Sequence, residues 1–333
     1  MTTESSNAAR GKALALIPAA AALAYPFVLA AFHAVVSISP AGAAAVLVVA
    51  FALPLSGLAL VYRLTRASQA PQSTAAGRLA YASLAAPPLF VLLGVGRGLL
   101  HIHVPELMLW IAFWMLAAAY VWFAPSTEPA DRSHAPSAAW RVAHGISAAF
   151  IACYVLFHLT NHLFGLAGPE THAAIMKAGR TVYRSPFIEP VLVTLLLFQV
   201  ASGVRLAWRW SGFRNDVQRI FQVGSGAYLA AFILTHMNSA LVSARAVHKI
   251  DTDWGWASGA PLGLIHDAWN IRLLPHYALG VFFIIGHLSS GLRVVMLAHG
   301  ARAQVADRIW AAGLVAGAAI STAIVCALCG VRL

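Results

Sequence analysis

Charge is what this chain lacks most. Only 10% of its 333 residues are Asp, Glu, Lys or Arg, while 60% are hydrophobic. Soluble domains are about a quarter charged and need that charge as a solvated skin, so the composition excludes a water-soluble core of this size and places the chain in the membrane class. Acidic residues are scarcer than basic ones, 11 against 22, which leaves a net charge of +11. That sign raises nucleic acid as a partner, but the basic residues do not cluster with aromatics on one face. They stand singly or in pairs at the ends of apolar runs, where they mark topology, so no nucleic-acid partner is expected. Cysteine is nearly absent as well. Cys153, Cys326 and Cys329 all lie inside apolar runs, which excludes a disulfide framework and an iron–sulfur ligand set. Cys326 and Cys329 form a C-x-x-C, but inside a greasy helix and without a following His, so they read as lining. The one glycine loop, GVGRG at 94–98, lies in an apolar run with no strand before it and is no flavin fingerprint.

What the chain has in abundance is apolar length. Crossing a hydrocarbon core of about 30 Å takes about 20 residues. Nine such stretches are read, at 13–36, 41–62, 79–98, 105–123, 142–164, 186–208, 220–243, 273–297 and 307–330. The expected fold is therefore all-α, a polytopic helical membrane bundle. The first stretch follows Arg10 and Lys12 as a signal peptide would, but it is too long for one and holds Pro18 and Pro26. The third is Gly-rich and ends at Arg97. With the N-terminus in the cytoplasm, 14 basic residues fall on the inner side and 8 on the outer, as the positive-inside rule requires. The expected location is a bacterial-type inner membrane. A polar stretch, APSTEPADRSHAPSAA, breaks the composition. It divides the chain into an N-terminal four-helix region (1–124), a cytoplasmic linker (125–140) and a five-helix region (141–333) that holds most of the intramembrane histidine. The longest loops are expected at 165–185 and 244–272, both on the outer side, the second with tryptophans suited to the headgroup boundary.

Polar residues at membrane depth are costly and usually functional. His33, His101, His103, His134, His172, His248, His266 and His299 fall at span ends or in loops, where solvation accounts for them. His144 lies about one turn inside its span, near enough to the interface to be satisfied there. His158 and His236 differ: each stands 17 residues after an inner-face arginine, Arg141 and Arg219. At about 1.5 Å per residue both sit roughly 25 Å along parallel helices. A lone membrane histidine is more often a hydrogen-bonded residue between helices. Two at one depth can instead hold a haem, one nitrogen on each side of the iron. His287 and Gln199 mark a second level, each six residues before an arginine (Arg293, Arg205) and four before a glycine (Gly291, Gly203). An amide is a poor iron ligand. His162, one turn from His158, and His276, near the outer mouth of its helix, suit a haem propionate or a quinone.

The order of these motifs resembles a known family. AHGISAAFIACYVLFHLTNH (143–162), SPFIEPVLVTLLLFQVASG (185–203), FQVGSGAYLAAFILTH (221–236) and HYALGVFFIIGHLSSGL (276–292) are similar to the first four helices of the five-helix, di-haem cytochrome b subunit of the succinate:quinone oxidoreductase and quinol:fumarate reductase family. The resemblance covers about 190 residues and says nothing of the first four spans. It implies that His158 and His236 are the metal ligands of one haem b and that His287 is a cofactor-binding residue at a second. The fourth ligand falls on Gln199, so one haem is expected, with the second absent or five-coordinate on His287.

The resemblance further implies electron transfer to or from a membrane quinone, with no catalytic residue in this chain. Thr160, Asn161, Asn238 and Ser239 flank the ligands and could hydrogen-bond them, Arg180 and Arg184 would face haem propionates, and Tyr183 would support that cluster. Flavoprotein and iron–sulfur partner subunits would meet the inner loops around 205–219 and 293–308. The competing readings are a haem-free transporter or scaffold that keeps the five-helix fold, and a stand-alone oxidoreductase served by a small soluble donor.

Overall fold

A computed structural model describes residues 3–66, 74–125, 137–213 and 215–333, with side chains from residue 11 onward. Most of the expected linker, with Arg132 and His134, lies outside the described residues, as do Arg214 and the Arg10 side chain. The protein is all-α: it is 85% helical, with no strand among the described residues. Eight of the described helices are long and apolar enough to cross a membrane, and a bent pair makes up to nine. This is a multi-pass membrane protein.

Contacts divide the chain into two compact units, Met1–Pro136 with Arg205–Tyr228, and Ser137–Val204 with Leu229–Leu333. The first contains α1 (Thr3–Val36), α2 (Pro40–Arg66), α3 (Thr74–Leu84), α4 (Ala86–Leu99) and α5 (Glu106–Phe123). Pro26 inside α1 has no N–H to give the Ala22 carbonyl one turn earlier, and in lipid that acceptor must be met some other way. The buried Trp110 indole of α5 meets it, its N–H 2.8 Å from the Ala22 oxygen. Trp110 also packs edge-on against Phe90 and Trp114, which fixes α1, α4 and α5 around one aromatic seam. The expected third span is not straight. Pro87 and Pro88 cannot donate to the turn before them, and α3 and α4 meet at 67°. At the other edge of this unit, Arg78 lies over the Trp208 ring at 3.6 Å and bonds Ser211 Oγ.

The second unit is built on α6 (Ala138–Leu163), α7 (Pro169–Tyr183), α8 (Ile188–Trp210), α9 (Val217–Met237), the short α10 (Trp254–Ser258) and α11 (Gly263–His266), α12 (Leu273–Ala298) and α13 (Ala303–Leu328); α8 and α9 contribute to both units. α9 continues as a π-helical stretch, Asn238–Val247. α12 and α13 pack through a stripe of small residues. Gly313 lies under Ser289, Gly317 under the Phe282 carbonyl, and Ser321 donates to the Ala278 carbonyl at 2.6 Å. Small residues four apart let two backbones approach closely, the usual means of joining helices where lipid removes the hydrophobic drive.

The expected loop at 165–185 is a helix, and this corrects the reading of His172. Pro169 starts α7, and His172, Met176 and Gly179 recur at helical spacing on the face that turns inward. His172 is 2% exposed, not solvated in a loop. The expected loop at 244–272 likewise begins as π-helix and carries α10 and α11.

Candidate functional site

A cavity of about 240 Å³ lies within the second unit, walled by α6, α7, α8, α9 and α12. His158 and His236 both line it, edge-on to one another with ring centroids 5.9 Å apart and planes at 75°. Each ring is fixed from behind. Tyr154 stacks on His158 at 5.6 Å and Phe232 on His236 at 5.8 Å. Phe232 reaches that place only because position 280 is glycine: a Cβ there would come within 2.3 Å of its ring. The wall between the two histidines is apolar, with Val155, Val193, Leu196, Ile233 and Ile284 among its side chains.

One end of the cavity is cationic. Arg180 at the end of α7 donates to Asp251, to the Thr252 carbonyl and to Thr252 Oγ1, and Arg184 donates to the same hydroxyl at 2.9 Å. Burial and the neighbouring Arg180 and Arg245 charges hold the Arg184 guanidinium below its usual pKa. Glu189 answers part of this charge by pairing with Arg245. The cluster still holds three arginines against Glu189 and the exposed Asp251, so it has capacity for an added anion. Tyr183 packs on Tyr154 and Phe157 beside it.

Three further histidines line or adjoin this space. His162 sits edge-on to His158 at 4.7 Å and 5.4 Å from His172, while His276 lies against Phe232 at 4.6 Å. Asn161 Nδ2 is 3.2 Å from His172 Nε2 and donates to it, which leaves the imidazole proton on Nδ1. That buried N–H and His162 Nδ1 have no hydrogen-bond partner among the described residues. Buried polar atoms in this condition call for a partner such as a water, an ion or a ligand group. Burial and the Arg180 charge push the His172 pKa down, with Asp253 opposing, so this ring is neutral near pH 7.

The structure thus brings together His158, His236, Arg180 and Arg184. It does not bring His287 to them. His287 lies edge-on to His144 instead, with centroids 6.4 Å apart, and His144 Nδ1 is 2.8 Å from Ser202 Oγ. Gln199 occupies no ligand position: its amide donates to the His144 carbonyl at 2.8 Å and to Ser147 Oγ. Of the residues flanking the pair, Asn161 serves His172, and Thr160 is exposed. Sequence reasoning missed His172, Glu189, Arg245 and Thr252. The helical spacing of His172, Met176 and Gly179 was the available signal for the first.

The chain matches no family model, no curated protein and no solved structure. Its site is read from its own chemistry.

Proposed function

We propose that the His158/His236 cavity binds one haem b and that the protein carries electrons between that haem and a membrane quinone. The observation behind this reading is the pair of neighbouring imidazoles, His158 and His236, in an apolar cavity with a cationic end. The residues suit the group: His158 and His236 would hold its iron, the apolar wall would take the macrocycle, and Arg180 and Arg184 would pair with its carboxylates. When bound, haem would supply a one-electron carrier, held by His158 and His236.

The chain's own residues do the rest. Tyr154 and Phe232 hold the two ring planes, and the arginines orient the carboxylate edge through Thr252. His172 presents an N–H donor, and His162 Nδ1 a second polar atom, to a quinone oxygen or a propionate. The resemblance to the cytochrome b subunit of succinate:quinone oxidoreductases supports the same role, with flavoprotein and iron–sulfur subunits as partners near 205–219 and 293–308. In that arrangement the N-terminus is cytoplasmic in a bacterial-type inner membrane.

The test is a reduced-minus-oxidised visible spectrum of the purified full chain with a pyridine haemochrome assay. Low-spin haem b, lost in His236→Ala and in His158→Ala while both variants stay folded, is the expected result. A folded, haem-supplied preparation that binds none would overturn the proposal and leave the haem-free transporter or scaffold.

A further inference from the structure

We propose that the first unit binds an anionic phospholipid where α2 and α8 end and α3 and α9 begin, with Arg66, Arg78 and Arg219 as donors to the headgroup phosphate. This site is separate from the histidine cavity and does not depend on what that cavity holds.

The four helix ends meet on one apolar cluster. Leu60 and Val61 of α2, Ala80 and Tyr81 of α3, and Ile220 and Val223 of α9 are buried together, with Tyr62 and Trp210 packed against them. Arginines stand around this cluster, and three of their guanidiniums lie over aromatic rings. Arg66 is over Tyr62 at 4.7 Å, Arg78 over Trp208 at 3.6 Å and Arg219 over Trp210 at 4.3 Å. A ring beneath fixes the plane of a guanidinium by cation–π attraction while its N–H edges stay available to a phosphate. Arg78 is held on two further sides. Its Nε donates to Ser211 Oγ at 3.2 Å and its Nη2 to the Trp208 carbonyl at 3.4 Å. Those bonds use two of the five N–H groups, so three can meet an incoming acceptor.

The charge around the cluster is nearly all of one sign. Residues 60–66, 74–81 and 205–220 carry six described arginines, Arg63, Arg205 and Arg209 standing beside the three on rings. Their one acidic residue is Asp216, whose carboxylate accepts from the Arg219 backbone N–H at 2.7 Å. An anion is therefore the complement, and the neighbouring surface of α2 selects a lipid. Val48, Ala52, Leu55 and Ala59 are exposed at spacings of three and four, and this outward stripe ends at the exposed Arg63 and Arg66. Leu55 stands eight residues before Arg63, about 12 Å along the helix. An acyl chain lying on the stripe brings its own phosphate to the arginines. A soluble phosphate or an acidic protein would leave the stripe unused. Basic residues clustered at the ends of membrane helices attract anionic headgroups for the same reason.

The experiment is native mass spectrometry of the full chain in detergent, titrated with phosphatidylglycerol or with phosphatidylcholine of the same acyl chains, and with inorganic phosphate as competitor. Phosphatidylglycerol should be retained in preference to phosphatidylcholine, and inorganic phosphate should not displace it. Arg66→Gln, Arg78→Gln and Arg219→Gln should each weaken phosphatidylglycerol binding about fivefold, the share of one basic residue beside an anionic headgroup, and leave phosphatidylcholine binding as it was. Arg66 is exposed at a helix end, so its variant tests the site even where a half-buried arginine is needed for folding. Equal retention of the two lipids overturns the proposal and leaves an acidic partner as the complement of the charge. A preference that survives unchanged in the folded variants overturns it as well, because the lipid then sits elsewhere. Displacement by inorganic phosphate makes the arginines a site for soluble anions and likewise overturns it. Each of these results leaves the proposed function standing, since no residue of the histidine cavity is altered.

Discussion

Trp110→Phe and Pro26→Ala form a double-mutant cycle whose sign is fixed by the backbone. In the native chain the Ala22 carbonyl has lost its helical donor to Pro26, and the Trp110 indole replaces it at 2.8 Å. Trp110→Phe keeps an aromatic ring at a site 2% exposed, but leaves that carbonyl without its donor. The cost has two parts: a smaller ring in a packed seam, and a lost hydrogen bond worth about 0.6–1.7 kcal/mol between membrane helices. In the Pro26→Ala background residue 26 regains its N–H and satisfies Ala22 from within α1, so Trp110→Phe should cost only the packing part. The difference between the two costs is the coupling, expected at about 1 kcal/mol. For a unit of this size that is a Tm difference of about 2 to 4 °C. Thermal unfolding in detergent, followed by circular dichroism for all four proteins, measures it. Equal costs of Trp110→Phe in the two backgrounds would refute the reasoning, because the indole would then be packing without bonding.

Other perturbations test the site and the topology. Gly280→Ala places a methyl within 2.3 Å of the Phe232 ring, so it should destabilise by about 1–3 kcal/mol and disturb the ring stacked on His236, read as a lower Tm with weaker haem retention. His172 has a folded-state pKa below its ordinary value of about 6.5, so the unfolded chain takes up a proton that the folded chain refuses. The stability it lends is full above about pH 6.5 and falls as the pH drops toward the folded pKa. A denaturation series from pH 7.5 to 5 should show that loss, and His172→Gln should flatten it; an unchanged slope counts against a neutral buried ring. The bent pair α3–α4 decides parity. Counted as one crossing it puts the two termini on opposite faces, and as a re-entrant pair on the same face. Reporter fusions at the two ends and after Phe123 separate the cases, with opposite faces expected.

Much of the fold was legible because membranes impose length. Runs of about twenty apolar residues can be counted, and the helices stand where those runs do. The break at Ala85 was not read, although Pro87 and Pro88 announce it. α7 reads as a loop in the sequence because PETHAAIMKAGRTVY is too polar to span, and its apolar residues occupy only one face. The residues that orient the arginines, Thr252 and Asp251, come from a segment with no periodic signal at all.

The histidines show where such reading stops and why. Depth along a helix advances by about 1.5 Å per residue from a fixed mark, so counting from Arg141 and Arg219 was enough to match His158 with His236. Facing turns by about 100° per residue, and nothing in the sequence marks its zero. A one-residue error therefore moves a side chain little in depth and almost a third of a turn in direction. That is why counting sets His287 at one level with Gln199, while the ring 6.4 Å from it is His144. His144 faces it from α6, while Gln199, at the matching depth, turns its amide onto the α6 backbone. Pairing across helices needs both coordinates, and only depth is written in residue spacing.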